Sequence, residues 1–121
     1  MSKKILIADD EQNIVISVEF LMKREGYDVS VAADGEEALA RIRADKPDLV
    51  LLDVMMPKKN GFDVCQEVRA DAALAGVRIL MLTARGREME VAKGIALGAD
   101  GYMTKPFSTK ELVDKVRDLL V

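Results

Sequence analysis

The sequence contains no histidine, no tryptophan and a single cysteine, and only 4% of its residues are aromatic. Without histidine, His-based zinc sites, Ser-His-Asp triads and haem ligation are excluded together. Cys65, being alone, has no partner for a disulfide within the chain. Long apolar runs are also missing: none approaches the ~20 residues of a membrane span. The N-terminus offers only Ile5-Leu6-Ile7-Ala8 before two aspartates, too short for a signal-peptide core. No membrane insertion and a cytoplasmic location are expected. A basic excess is lacking too, with 18 Lys and Arg against 21 Asp and Glu and a net charge of −3. That balance argues against direct nucleic-acid binding. There is no low-complexity tract, and 50% hydrophobic with 32% charged residues excludes disorder. Carboxylates, hydroxyls and lysine remain as the groups able to do chemistry.

What is present reads as one domain over residues 1–121. Short apolar runs at Lys4 to Ala8, Leu49 to Leu52 and Arg78 to Leu82 suit strands buried on both faces. Val29 to Ala32 and Gly101 to Thr104 are two weaker strand candidates. Helical patterns lie between them. The first runs from about Glu11 to Glu25 with Ile14, Val18 and Leu21 on one face and Gly26 as terminator. Asp34 and Glu37 form a capping pair for a second helix carrying Ala38, Leu39 and Ile42, closed by Pro47. A third starts near Gly61 with Phe62, Cys65 and Val68 inward. The fourth spans about Arg87 to Leu97, using Val91, Ala92 and Ile95, and ends at Gly98. Ser108 and Glu111 cap the fifth, followed by Leu112, Val116, Leu119 and Leu120 at core spacing. Five strands alternating with five helices predict an α/β, doubly wound (βα)5 three-layer sandwich with a five-stranded parallel sheet.

In such sheets ligands bind beyond the carboxyl ends of the strands. The first strand ends in Asp9-Asp10, the third in Asp53, the fourth in Thr83 and the fifth in Thr104-Lys105-Pro106. Without the three aspartates, eighteen acids would face eighteen bases, so the acidity belongs to this rim. Three clustered carboxylates repel, and a cation relieves them. All-oxygen ligands favour Mg2+, which binds one or two carboxylates directly and keeps several waters. The ion and Lys105 leave room for a dianionic phosphoryl group, with the Thr83 hydroxyl as hydrogen-bond donor. Phosphoryl transfer onto a carboxylate is the chemistry that fits.

Each residue alone has a plainer explanation. Asp9-Asp10 would start a helix, where acids favour the dipole and cap orphan amides. Thr83 would be a strand-end hydroxyl and Lys105 a solvated lysine. Asp53 is harder to dismiss, because an unpaired carboxylate after LVLL in a central strand is costly. The joint occurrence at successive strand ends reverses the odds. Met55, Met56 and Cys65 read as packing residues.

The stretches ILIADDEQNI, PDLVLLDVMMPKKNGFDV, RILMLTA and LGADGYMTKPF, in this order and covering essentially the whole chain, resemble a bacterial two-component response regulator receiver domain of the chemotaxis-regulator type. The resemblance implies the flavodoxin-like strand order 2-1-3-4-5. It makes Asp53 the phosphorylated residue, and Asp9, Asp10, Asp53 and the backbone carbonyl of Met55 the Mg2+ ligands. Thr83, Lys105 and the Ala84 amide would contact phosphoryl oxygens, with Thr83 and Tyr102 as the switch pair. A cis Lys105-Pro106 bond is implied, and Gly61 allows the return into the third helix. The implied partners are a histidine kinase or phosphotransfer protein upstream and, downstream, an effector protein or a second copy. The downstream partner would meet the fourth helix, fifth strand and fifth helix, where Lys93, Asp100, Glu111, Lys115 and Arg117 supply charge. Where many transcription-factor members read Ala-Asp-Asp-Tyr, this chain reads Ala99-Asp100-Gly101-Tyr102. The missing acid weakens an inference to their symmetric dimer.

Two other classes compete. A phosphatase or phosphotransferase with an aspartyl-phosphate intermediate would place its acids two residues apart after the first strand, and here they are adjacent. A flavodoxin-like electron carrier would need a hydroxyl-rich phosphate loop where this chain has two acids. The expectation is therefore a signalling receiver that catalyses only its own phosphorylation and slow dephosphorylation. Ending at Val121 directly after the fifth helix, the sequence favours a stand-alone receiver. Two residues beyond Asp53 and Thr83 stand Met55 and Arg85, neither offering a carboxylate or amide to orient water, so a persistent phosphoryl group is expected.

Overall fold

The computed structural model describes residues 2–84 and 88–120. In chain order its elements are β1 (Lys4–Ala8), α1 (Gln12–Arg24), β2 (Asp28–Ala32), α2 (Gly35–Asp45), β3 (Leu49–Asp53), α3 (Gly61–Ala70), a 3-10 turn (Ala72–Leu74), β4 (Arg78–Ala84), α4 (Glu88–Ala96), β5 (Gly101–Lys105) and α5 (Thr109–Leu119). The strands pair in parallel in the order β2-β1-β3-β4-β5. This is the doubly wound fold expected from the alternation of patterns and, for its order, from the resemblance. The short 3-10 turn has no counterpart in the periodicity.

Successive strand residues point to opposite faces, and both faces are covered. Leu6, Val50, Leu52, Ile79 and Met81 pack with α2 and α3 residues such as Leu39, Ile42, Val64 and Val68. Ile5, Ile7, Leu49, Leu51, Leu80 and Leu82 pack with Val18, Leu21 and Met22 of α1 and Leu112 and Val116 of α5. Every residue of β3 is buried, as a central strand demands, whereas the edge strand β2 is half-buried. Each fully buried aliphatic side chain contributes ~1.5–3 kcal/mol.

Local chemistry sets the helix ends. Asp34 Oδ1 accepts the Glu37 N–H at 2.8 Å while Glu37 Oε1 accepts that of Ala33 at 2.7 Å, a reciprocal cap shifted by one residue. Ser108 Oγ accepts the Glu111 N–H at 3.0 Å. Asn60 caps α3 through the Asp63 N–H at 2.9 Å, a cap the sequence pattern did not single out. α1 stops before Gly26, which takes φ +92°, and α2 stops at Lys46 with φ +45°, just before Pro47.

α4 corrects the expected stripe. Ala92 is exposed and Ile95 is 46% exposed; the buried position is Gly94, with Val91 and Leu97 half-buried. A Cβ on Gly94 would lie 3.4 Å from Met81 Cγ, so the helix approaches β4 through its glycine. A hydrophobic pattern has no way to register such a contact. The expected first residue of this helix, Arg87, lies outside the described residues. Among the described residues, no helix is long and apolar enough to cross a membrane.

Candidate functional site

Ala8 pairs with Leu52, so Asp9 and Asp53 come next in register, side by side where strand order reverses between β1 and β3. Asp9 is 1% and Asp53 6% exposed, while Asp10 stands open to solvent. One carboxylate oxygen from each of the three lies within 4.8 Å of the others. Burial, reinforced by the charge of Asp9, pushes the Asp53 pKa up to about 6, against the opposing pull of Lys105 and the Met55 amide.

Lys105 reaches this rim from the end of β5. Its Nζ lies 2.8 Å from Asp9 Oδ2, 3.1 Å from Glu11 Oε1 and 3.4 Å from Asp53 Oδ1. Burial disfavours the ammonium, but the hydrogen bonds to Asp9 and Glu11 and the charges of Asp53 and Asp9 outweigh it and raise its pKa. The Lys105–Pro106 bond is cis, as the resemblance implies. Glu11, which the sequence reading placed only at a helix start, thus joins the lysine's partners; its place directly after Asp9-Asp10 was the available signal. The plainer role of Asp9 also holds in part, since its Oδ1 accepts the Glu11 N–H at 2.9 Å.

Gly61 closes the loop after β3. Its N–H donates to the Val54 carbonyl at 2.8 Å, and a Cβ there would lie 2.5 Å from the Asp53 carbonyl oxygen. The glycine is needed for close approach beneath the acid. The Met55 N–H reaches Asp53 Oδ1 at 3.4 Å. Of the two methionines expected to pack, Met56 does so, whereas Met55 is 57% exposed on the rim. Cys65 is buried as expected, its Sγ 3.6 Å from the Leu97 carbonyl, and burial raises its pKa.

Thr83 is 1% exposed, and its hydroxyl donates to the Met103 carbonyl at 3.4 Å. Ala84 lies beside Lys105 in the β4–β5 register, and Arg85 is outside the described residues. Tyr102 is 47% exposed and borders a shallow depression with Glu111, Asp114 and Lys115. Of the charges assigned to that face, three are engaged elsewhere. Lys93 Nζ sits 4.6 Å from the centre of the Phe62 ring, and Asp100 Oδ2 accepts from both Arg69 Nη2 and the Ile79 N–H at 2.8 Å. A third, Arg117, lies 3.5 Å from Glu25.

The site is an all-oxygen cluster with one lysine, a donor set suited to a hard divalent cation and a phosphoryl group. A model of the response regulator receiver domain matches residues 5–117. The alkaline phosphatase synthesis transcriptional regulatory protein PhoP of Bacillus subtilis is 48% identical over 99% of this chain, which spans only 49% of that relative's length. The solved structure of the Vibrio cholerae chemotaxis response regulator CheY4 superposes with a TM-score of 0.93 at 34% identity, covering 99% of this chain and 100% of that one. A CheY-like receiver domain protein from Methanospirillum hungatei gives 0.90 at 30% identity over 99% and 94% of the two chains. With matched sequence across nearly its whole length, matched fold and the acids at the switch point, this chain belongs to the response regulator receiver domain family, the phospho-accepting module of two-component signalling.

Proposed function

We propose that residues 1–121 form one receiver domain in which Asp53 accepts a phosphoryl group from the phosphohistidine of a histidine kinase or phosphotransfer protein. The observation that carries this reading is Lys105 spanning Asp9 and Asp53 within a cluster of three acids at the sheet's switch point. An Asp53 carboxylate oxygen attacks phosphorus, the P–N bond breaks, and the imidazole departs with the electron pair. With a pKa of about 6, Asp53 is largely ionised at neutral pH and able to attack. Lys105 holds developing negative charge on the phosphoryl oxygens, and Thr83 and the Ala84 amide donate to them. Asp9, Asp10, Asp53 and the Met55 carbonyl are the groups that would hold Mg2+. When bound, the ion supplies charge neutralisation for the acids and the incoming phosphoryl group.

The chain acts on this reading as a signalling module in the cytoplasm, catalysing only its own phosphorylation and slow dephosphorylation. Its output passes through α4, β5 and α5 to an effector protein or a second copy. Incubation with acetyl phosphate and Mg2+, followed by intact mass and hydroxylamine treatment, tests the reading. One hydroxylamine-labile phosphoryl group per chain is expected, and none on Asp53→Asn. Normal labelling of that variant, or steady turnover of many phosphoesters, would overturn the assignment.

A further inference from the structure

The loop from Val54 to Asn60 carries the Met55 carbonyl, and something must fix its height above the sheet. Its two ends are tied near the acid. The Val54 N–H donates to the Leu82 carbonyl at 3.2 Å, and the Gly61 N–H donates to that of Val54 at 2.8 Å. Its middle is folded tightly. Lys58 takes φ +70°, and the Lys59 N–H donates back to the Pro57 carbonyl at 2.9 Å, a γ-turn.

That turn rests on the first residue of α2. The Gly35 N–H donates to the same Pro57 carbonyl at 3.3 Å. A Cβ on Gly35 would overlap the Lys59 carbonyl oxygen and lie 2.6 Å from both the carbonyl carbon and Cβ of Lys59. Gly35 is a buried helical residue without positive φ, so its backbone does not require glycine. Alanine is intrinsically the better helix former. The three atoms nearest that Cβ all belong to Lys59, so the demand for a bare Cα at this position comes from the loop. Beside it, Lys58 Nζ lies 3.7 Å from Oδ2 of Asp34, the residue that caps α2.

We propose that Gly35 is a positioning residue for the Asp53 site: the bare N-terminus of α2 seats the Pro57–Lys59 turn and thereby sets where the Met55 carbonyl stands. Only Met56 separates Met55 from Pro57 in the chain. A side chain at position 35 lifts the turn and displaces that carbonyl. Mg2+ requires near-octahedral ligands at about 2.0–2.1 Å, so a small displacement of one ligand weakens binding steeply. The inference rests on the Mg2+ and Asp53 reading above.

The test is Mg2+ titration, read by amide chemical shifts, of wild type, Gly35→Ala and a control, Gly76→Ala, at whose Cβ position there is open space. Gly35→Ala should bind Mg2+ about 10-fold more weakly, as supporting contacts of metal sites typically do when removed. Its metal-free spectrum should move at Met55 and Met56, and its rate with acetyl phosphate should recover toward wild type at saturating Mg2+. Gly76→Ala should match wild type. Unchanged affinity in Gly35→Ala, or weakened affinity with the Met55 and Met56 amides unmoved, would overturn the proposal. If Gly35→Ala does not fold, Lys58→Asn carries the test, because asparagine tolerates the left-handed conformation. Loss of a cation changes Mg2+ affinity by electrostatics alone, so the reading here is position: a turn released from Asp34 moves the Met55 and Met56 amides in the metal-free spectrum, and unmoved amides overturn the proposal. Failure of wild type itself to bind Mg2+ would instead refute the reading of the site.

Discussion

Asp53 is held at a cost that its environment makes measurable. A carboxylate whose folded pKa is raised to about 6 binds its proton more tightly in the folded chain than in the unfolded one. Its contribution to stability is therefore full below the ordinary value near 4 and is lost as pH rises through 6. In metal-free urea unfolding, wild type should lose about 1–3 kcal/mol relative to Asp53→Asn between pH 4 and pH 7.5. Parallel pH profiles for the two proteins would remove the claim that burial and Asp9 burden this acid. The neighbouring rim bears on lifetime. Met55, exposed and apolar, offers no group to orient a hydrolytic water. Met55→Asn should lose its phosphoryl group faster than wild type, as followed by phosphoprotein decay after donor removal. Slower or equal decay would count against the apolar Met55 side chain as the cause of a long lifetime.

At the scale of elements, the two kinds of helix face make opposite forecasts for one chemical change. Ile42 of α2 is fully buried, whereas Ile95 of α4 is 46% exposed. Ile42→Ala should cost about 2–5 kcal/mol and Ile95→Ala within about 0.5 kcal/mol, measured by urea unfolding. A large loss at Ile95 would restore the apolar stripe expected from periodicity. Periodicity suggests that stripe because Val91, Ala92 and Ile95 are apolar at plausible spacing, but Ala92 and Ile95 are exposed, and the helix approaches Met81 through Gly94. The other helices were legible because their inward residues are mostly large, and α2 and α5 also carry capping side chains. Asp34, Ser108 and Gly26 mark their boundaries through local bonds or backbone conformation that depend on nearby sequence alone.

For the whole molecule, the proposed reading has an event at Asp53 reach the α4, β5 and α5 face. Thr83 is buried and tied to the Met103 carbonyl, one residue from the half-exposed Tyr102. On the proposed reading, drawing the Thr83 hydroxyl toward a phosphoryl group would break that tie and release β5 to repack, a two-state change that a few kcal/mol inverts. Thr83→Ala should accept the group on Asp53 yet fail to transmit it. Amide shifts with and without beryllofluoride decide this: the Tyr102 region should move in wild type and stay still in the variant. Equal movement in both would break the proposed coupling.

The sequence by itself determined the alternation of strands and helices, the parallel sheet and the rim of acids, because apolar periodicity and strand-end position are local properties. Asp9, Asp53 and Lys105 were all nameable from where the apolar runs stop. Tertiary structure alone decided which groups touch. Glu11 joins Lys105, Asp100 turns to Arg69, Lys93 covers Phe62, and Gly35 seats a loop some twenty residues further along the chain. These contacts join residues far apart in the chain, and a glycine or an exposed charge carries no pattern in sequence that records its neighbour. Their geometry exists only once the helices have packed against the sheet and burial has made each charge seek a partner.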